Sequence, residues 1–269
     1  MDWPTILLAF SLTLFAGMAT GIGGLIAFFA KRTNTTFLSF SLGFSAGVMV
    51  FISFTQILTG AGDIIAEYFL PKTAALITFA SFVGGFFLTA IIDKVIPMKD
   101  NPHEMMRVEQ MKESCQKRNP KLLRVGLFTA IALGIHNFPE GIATFMAGMT
   151  DLTVGISIAV AIAIHNIPEG IAVSVPVYFA TGSRRKALQW SILSGFAEPL
   201  GALVGFLIIS SIKADIILGY VYAIVAGIMI YISFDELLPA AHKYGKHHVA
   251  IYGLISGIIV IGISLILLQ

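Results

Sequence analysis

Residues 153–180 read TVGISIAVAIAIHNIPEGIAVSVPVYFA. A helix crosses the hydrocarbon of a bilayer with about 20 mainly apolar residues, and this stretch is long enough to do so. Its strongly polar side chains are gathered near the middle, in His165-Asn166-Ile167-Pro168-Glu169-Gly170, with no lysine or arginine in the stretch. The stretch therefore reads as a membrane span with an ionisable centre. Strands are excluded, because lipid-facing barrels show short alternating segments in place of long apolar runs.

The rest of the chain has the same character. Of its 269 residues 57% are apolar and 12% charged, about half the charge of an average soluble domain. Mean hydropathy is +0.88. Eight stretches qualify as spans, near 5–30, 37–58, 73–93, 123–148, 153–180, 187–210, 216–238 and 249–268. We expect one all-α polytopic domain over 1–269, with eight transmembrane helices and a solvated cytoplasmic loop at about 94–122. Met1-Asp2-Trp3-Pro4 lacks the basic start of a signal peptide, so the first stretch is expected to stay as a span. The single cysteine, Cys115, excludes an internal disulfide and a thiolate cluster.

Charge placement orients the spans. Lys31 and Arg32, the 94–124 region, Arg184 to Lys186, and Lys243 with Lys246 all fall on one side and hold 15 of the 17 basic residues. The other side keeps Lys72 and Lys213 beside Asp2, Asp63, Glu67, Asp151 and Asp215. Basic loops stay in the cytoplasm. An even number of spans then leaves both termini outside, in an inner or plasma membrane. The GxxxG spacings Gly17/Gly21, Gly43/Gly47, Gly201/Gly205 and Gly253/Gly257 are assigned to close helix packing.

The chemistry lies in a repeat. His136-Asn137-Phe138-Pro139-Glu140-Gly141 in span four recurs as His165 to Gly170 in span five, and Glu198 stands at the middle of span six in GFAEP. Positions four apart share a helix face, so His136 points with Glu140 and His165 with Glu169, with Asn137 and Asn166 on the adjoining edge. An ionised group at the bilayer centre costs about 2.5–3.5 kcal/mol, so three glutamates cost roughly 8–10 kcal/mol by addition. That is comparable with a domain's whole stability. No lysine or arginine near the middle of a span offsets them, Arg124 standing at the edge of span four; protons, water or a bound cation must.

Imidazole with carboxylate suits Zn²⁺ and Fe²⁺, and the missing thiolates argue against copper(I). Pro139, Pro168 and Pro199 free the carbonyls of Ile135, Ile164 and Gly195, which lipid tolerates only against protein or a cavity. Taken singly, a buried His or Asn in a span is an ordinary hydrogen-bond partner between helices. Two copies of one hexapeptide with a third glutamate favour a permeation site.

HNFPEG and HNIPEG in consecutive spans, followed by GFAEP in the next, resemble the ZIP (Zrt/Irt-like) metal-transporter family over essentially the whole chain. The resemblance implies a binuclear centre shared by spans four to six. His136, Glu140, His165 and Glu169 would hold one metal. Asn137, Glu140, Asn166, Glu169 and Glu198 would hold the other, with Glu140 and Glu169 bridging. Some members carry Gln and Asp where this chain has His165 and Asn166, so their metal preference does not transfer. The resemblance also implies a pseudo-twofold relation between helices one to three and six to eight, which is not evident in the sequence.

The expected function is uptake of zinc, with iron, manganese, cobalt and cadmium as further candidate substrates. The metal is cargo and no cofactor is expected. Divalent ions, lipid and a second copy in a homodimer are the expected partners, and nucleic acid is not. A metal exporter or proton/cation antiporter needs similar carboxylates and stays open as the alternative. An intramembrane metallo-enzyme is disfavoured, since HNxPE lacks the HExxH arrangement. Weaker candidates are an exit site at Asp235, Glu236 and His242, and a path lining of Ser53, Thr55 and Gln56. Asp93 is read as a helix end, and His103, His247 and His248 as too few for a metal sensor.

Overall fold

The computed structural model describes residues 3–29, 34–95, 134, 137–211, 216–244 and 247–268. Their regular structure is helical, with no strand among the described residues. We label the helices α1 (Trp3–Phe29), α2 (Thr35–Ala66), α3 (Pro71–Val95), α4 (137–150) and α5 (Leu152–Thr181). The next is α6, in two parts (Arg184–Gly195 and Ala197–Ser211). Then come α7 (Ile216–Ile232 continuing to Tyr244) and α8 (His247–Leu268). Among the described residues seven helices are long and apolar enough to cross a membrane. α4 is described from residue 137 onward, apart from Gly134, and most of the expected 94–122 loop lies outside the described residues.

Local chemistry sets the helix ends. Asn34 caps α2 by accepting from Phe37 N at 3.0 Å. Asp151 caps α5 by accepting from Thr153 N and Val154 N at 2.8 and 3.0 Å. α5 stops at Gly182, whose φ of 65° lies in the left-handed region that glycine enters without a steric penalty. Losing an N-cap side chain costs about 1 kcal/mol. Asp151→Ala is therefore expected to lower detergent thermal stability by about that amount and leave uptake per folded molecule unchanged.

Two helices outrun their sequence-based ends. α2 reaches Ala66 and α7 reaches Tyr244, beyond the expected 58 and 238. Each contains one π-helical turn, at Ser53–Ile57 and Ser233–Leu237. Asp235 and Glu236 thus lie inside α7 and do not close it. The two turns share the pattern Ile-Ser-Phe-x-x-(Ile/Leu)-Leu, at 52–58 and 232–238, and the same order of buried and exposed positions.

The repeat extends to helix packing. An added Cβ on Gly47 would lie 2.1 Å from the Leu254 carbonyl of α8, and one on Gly227 would lie 2.0 Å from the Phe82 carbonyl of α3. Conversely, Gly257 abuts Phe44 and Val48 of α2, and Gly85 abuts Ile224 and Ile228 of α7. Phe44, Gly47, Val48 and Ser53 of α2 therefore correspond to Ile224, Gly227, Ile228 and Ser233 of α7. This makes α2 and α7 counterparts in their packing, through backbone contacts that only glycine permits.

The helices sort into two packed groups. α2, α3, α7 and α8 form one through these glycine contacts. α1, α5 and α6 pack on one another, and α4 joins them where Gly141 and Phe138 meet Glu198 and Gly201, and Gly148 meets Ala9. α5 faces α2 and α8 across the boundary.

Candidate metal centre

The α1/α4/α5/α6 group holds the polar centre. Asn137 and Glu140 of α4, His165, Asn166 and Glu169 of α5, and Glu198 of α6 have no solvent exposure (0% each). His136 lies outside the described residues. The structure thus buries six of the seven candidate residues. On the same helices, Ile142 and Phe145 of α4 and Ile158 and Ile162 of α5 belong to the hydrophobic core.

Glu140, His165 and Glu169 each present one ligand atom, and the three atoms lie within 4.8 Å of one another. His165 Nε2 stands 3.0 Å from Glu140 Oε1. Zinc bonds of about 2.0–2.2 Å to nitrogen and oxygen put neighbouring ligands roughly 3.4 Å apart. The trio fits such an ion with small side-chain adjustment. Asn166 and Glu198 form an adjoining pair: Asn166 Nδ2 donates to Glu198 Oε1, and to the Ala16 carbonyl of α1 at 2.9 Å. Asn166 Oδ1 and Glu198 Oε2 are buried with no hydrogen-bond partner among the described residues. Oxygen atoms left so in a dry interior are costly unless a cation or water meets them.

The motif glycines explain how these helices come close enough. A Cβ on Gly141 would lie 2.0 Å from the Glu198 carbonyl oxygen, and one on Gly170 would lie 1.8 Å from that of Thr20. Each hexapeptide therefore ends in the residue that seats a neighbouring helix: α6 on the first copy, α1 on the second. In α6 the chain passes from one helical part to the next at Phe196, beside Pro199. The Gly195 carbonyl, which Pro199 cannot serve, lies against Gly17, where an added Cβ would come within 2.4 Å. That freed carbonyl is met by α1.

Sequence reasoning overlooked α1, which offers no charged side chain but reaches the centre through the Ala16 backbone; a carbonyl carries no residue signature. It also overlooked Thr144, one turn beyond Glu140 on the same face. Thr144 is fully buried, and its hydroxyl has no partner among the described residues. The four-residue spacing was the available signal. Of the weaker candidates, Thr55 is exposed and donates to its own helix at Phe51 O, 2.7 Å away. Asp235 is exposed and Glu236 half-buried, in the π-turn of α7. His248 stacks on Tyr252, with ring centroids 6.2 Å apart.

A family model described as ZIP zinc transporter matches residues 3–266. The chain is 57% identical to the zinc transporter ZupT of Oceanobacillus iheyensis over 264 residues, covering 98% of each. It is 56% identical to that of Lysinibacillus sphaericus over 264 residues, again covering 98% of each. With that of Streptococcus mutans it shares 54% identity over 259 residues, 96% of this chain and 97% of that protein.

Proposed function

The chain belongs to the ZIP zinc transporter family, and from that premise we propose that it carries Zn²⁺ into the cytoplasm through the buried centre on α4, α5 and α6. It is a multi-pass membrane transporter and not an enzyme. The observation that carries the site is the buried convergence of Glu140, His165 and Glu169 within 4.8 Å. His136, Glu140, His165 and Glu169 bind one metal. Asn137, Asn166 and Glu198 bind a second, with Glu140 and Glu169 shared. Imidazole and carboxylate also accept Fe²⁺, Mn²⁺, Co²⁺ and Cd²⁺, which we assign as further substrates.

A cytoplasm negative by 100 mV favours inward movement of a divalent ion by about 4.6 kcal/mol. No Walker A sequence is present, and the membrane potential acts in the direction of uptake. The whole chain, 1–269, acts as one transmembrane unit in the inner or plasma membrane, as a homodimer in lipid, with both termini outside. The metal-bearing group α1, α4, α5 and α6 is packed as a body of its own, which suits movement against the other four helices.

Zinc-65 flux in vesicles of known orientation tests the direction. Accumulation on the cytoplasmic side, increased by an inside-negative potential, is expected. Movement out of the cytoplasmic side would instead make the chain an exporter or antiporter. Cys115, the only cysteine, tests the topology. A membrane-impermeant maleimide is expected to label it only from the cytoplasmic face; labelling from outside intact cells would invert the orientation.

A further inference from the structure

Asn166 touches two other helices with one nitrogen. Its Nδ2 donates to the Ala16 carbonyl of α1 at 2.9 Å and to Glu198 Oε1 of α6. A carbonyl and a carboxylate only accept, so the atom facing both must be the amide nitrogen. The amide cannot turn over without setting Oδ1 against two oxygens. Its orientation is therefore locked, with Oδ1 turned away from both partners.

The Ala16 carbonyl also bears on Thr20 of the same helix. Thr13, Thr55, Thr78, Thr89, Thr150 and Thr181 each donate their hydroxyl to the carbonyl four residues earlier. For Thr20 that carbonyl is Ala16. The Thr20 hydroxyl is fully buried and has no partner among the described residues. The acceptor it would use is held by Asn166.

We propose that Asn166, besides offering Oδ1 to the second metal, positions Glu198 and sets the charge of that metal's position. By donating to Ala16 and Glu198 it ties α1, α5 and α6 together and holds Glu198 with its second oxygen available to a divalent ion. It adds one neutral oxygen where an aspartate would add a further negative charge. The proposal rests on the metal-centre reading above and deepens it. Ligand charge count is a principal control on how tightly a site holds a divalent cation. A neutral residue here favours release of the ion over retention. Aspartate could donate neither hydrogen bond and would crowd a third carboxylate beside Glu169 and Glu198.

The test is the steady-state kinetics of zinc uptake in reconstituted vesicles. Asn166→Asp is expected to lower KM and turnover together, by about fivefold or more each, as ion release slows. Asn166→Ala is expected to raise KM. In a Glu198→Gln background the same alanine change should add little, because residues acting through one another are non-additive. Thr20→Val removes only a surplus hydroxyl and should leave both constants as in the parent protein. Unchanged constants for Asn166→Asp would overturn the proposal. So would effects of Asn166→Ala and Glu198→Gln that multiply in the double variant, or a Thr20→Val loss as large as that of Asn166→Ala. Glu140→Ala, run alongside, separates the two levels. Normal uptake by that variant sinks the metal centre itself, whereas lost uptake with an indifferent Asn166→Asp sinks only the positioning role.

Discussion

Glu140→Ala and Glu169→Ala are each expected to cut zinc uptake by about 100-fold or more, while normal amounts of protein reach the membrane. Even the partners behind a metal's ligands are worth 10–100-fold in affinity or activity, and we propose these two carboxylates as ligands themselves. Both are fully buried, and with His165 they converge within 4.8 Å. Assembly should survive, since the lost Glu140–His165 contact is offset by removing a carboxylate whose place in the bilayer interior costs about 2.5–3.5 kcal/mol. Uptake of zinc-65 in cells lacking their own zinc importers, normalised to protein in the membrane, measures this. Asp63→Asn, at an exposed position of α2, is the control expected to behave as the parent. Near-normal uptake by both alanine variants would reject the site.

Gly141→Ala and Gly170→Ala are expected to lose uptake and to lower the thermal stability of the detergent-solubilised protein. A methyl carbon needs about 3.3 Å from a carbonyl oxygen even in a close contact. The added carbons would fall 2.0 Å from the Glu198 carbonyl and 1.8 Å from the Thr20 carbonyl. Backbone cannot step aside as a side-chain tip can. The helices must separate by more than about 1 Å, and the cost should reach the upper part of the roughly 1–3 kcal/mol typical of overpacking. Separation at Gly141 also moves Glu198 away from Glu140. Gly84→Ala is the matched control: nothing lies within 4 Å of a Cβ there. On an open helix face, alanine should raise stability by up to about 1 kcal/mol. If all three variants melted together and transported alike, the close approach of α1 and α6 to the motif glycines would be untrue of the protein in its membrane.

The repeated hexapeptide was readable because its information is local. His165 and Glu169, four apart on one helix, share a face in any environment, and an apolar run around them needs no tertiary structure to declare a span. Glu198 was legible for the same reason, as an acid with no cation nearby in a hydrophobic stretch. By contrast, Ile-Ser-Phe at 52–54 and 232–234 looks like ordinary span sequence. Only matching π-turns and matched glycine contacts reveal that α2 and α7 are counterparts. The length of α7 was misjudged because Asp235 and Glu236 read as a solvated end, although helical bonding continues past them to Tyr244.

The sequence by itself determined that this chain crosses a membrane many times, roughly where its apolar segments fall, and which acidic and imidazole groups lie within them. Backbone hydrogen bonds within a span are satisfied by its own residues, and hydropathy is a property of each segment alone. Tertiary structure decided which helices group together, that Gly141 and Gly170 seat α6 and α1, and that Ala16 reaches the centre through its carbonyl. Between helices in lipid no hydrophobic force selects the neighbour; close packing and a few hydrogen bonds do. Those depend on where backbone atoms lie in space, which no single segment of sequence records.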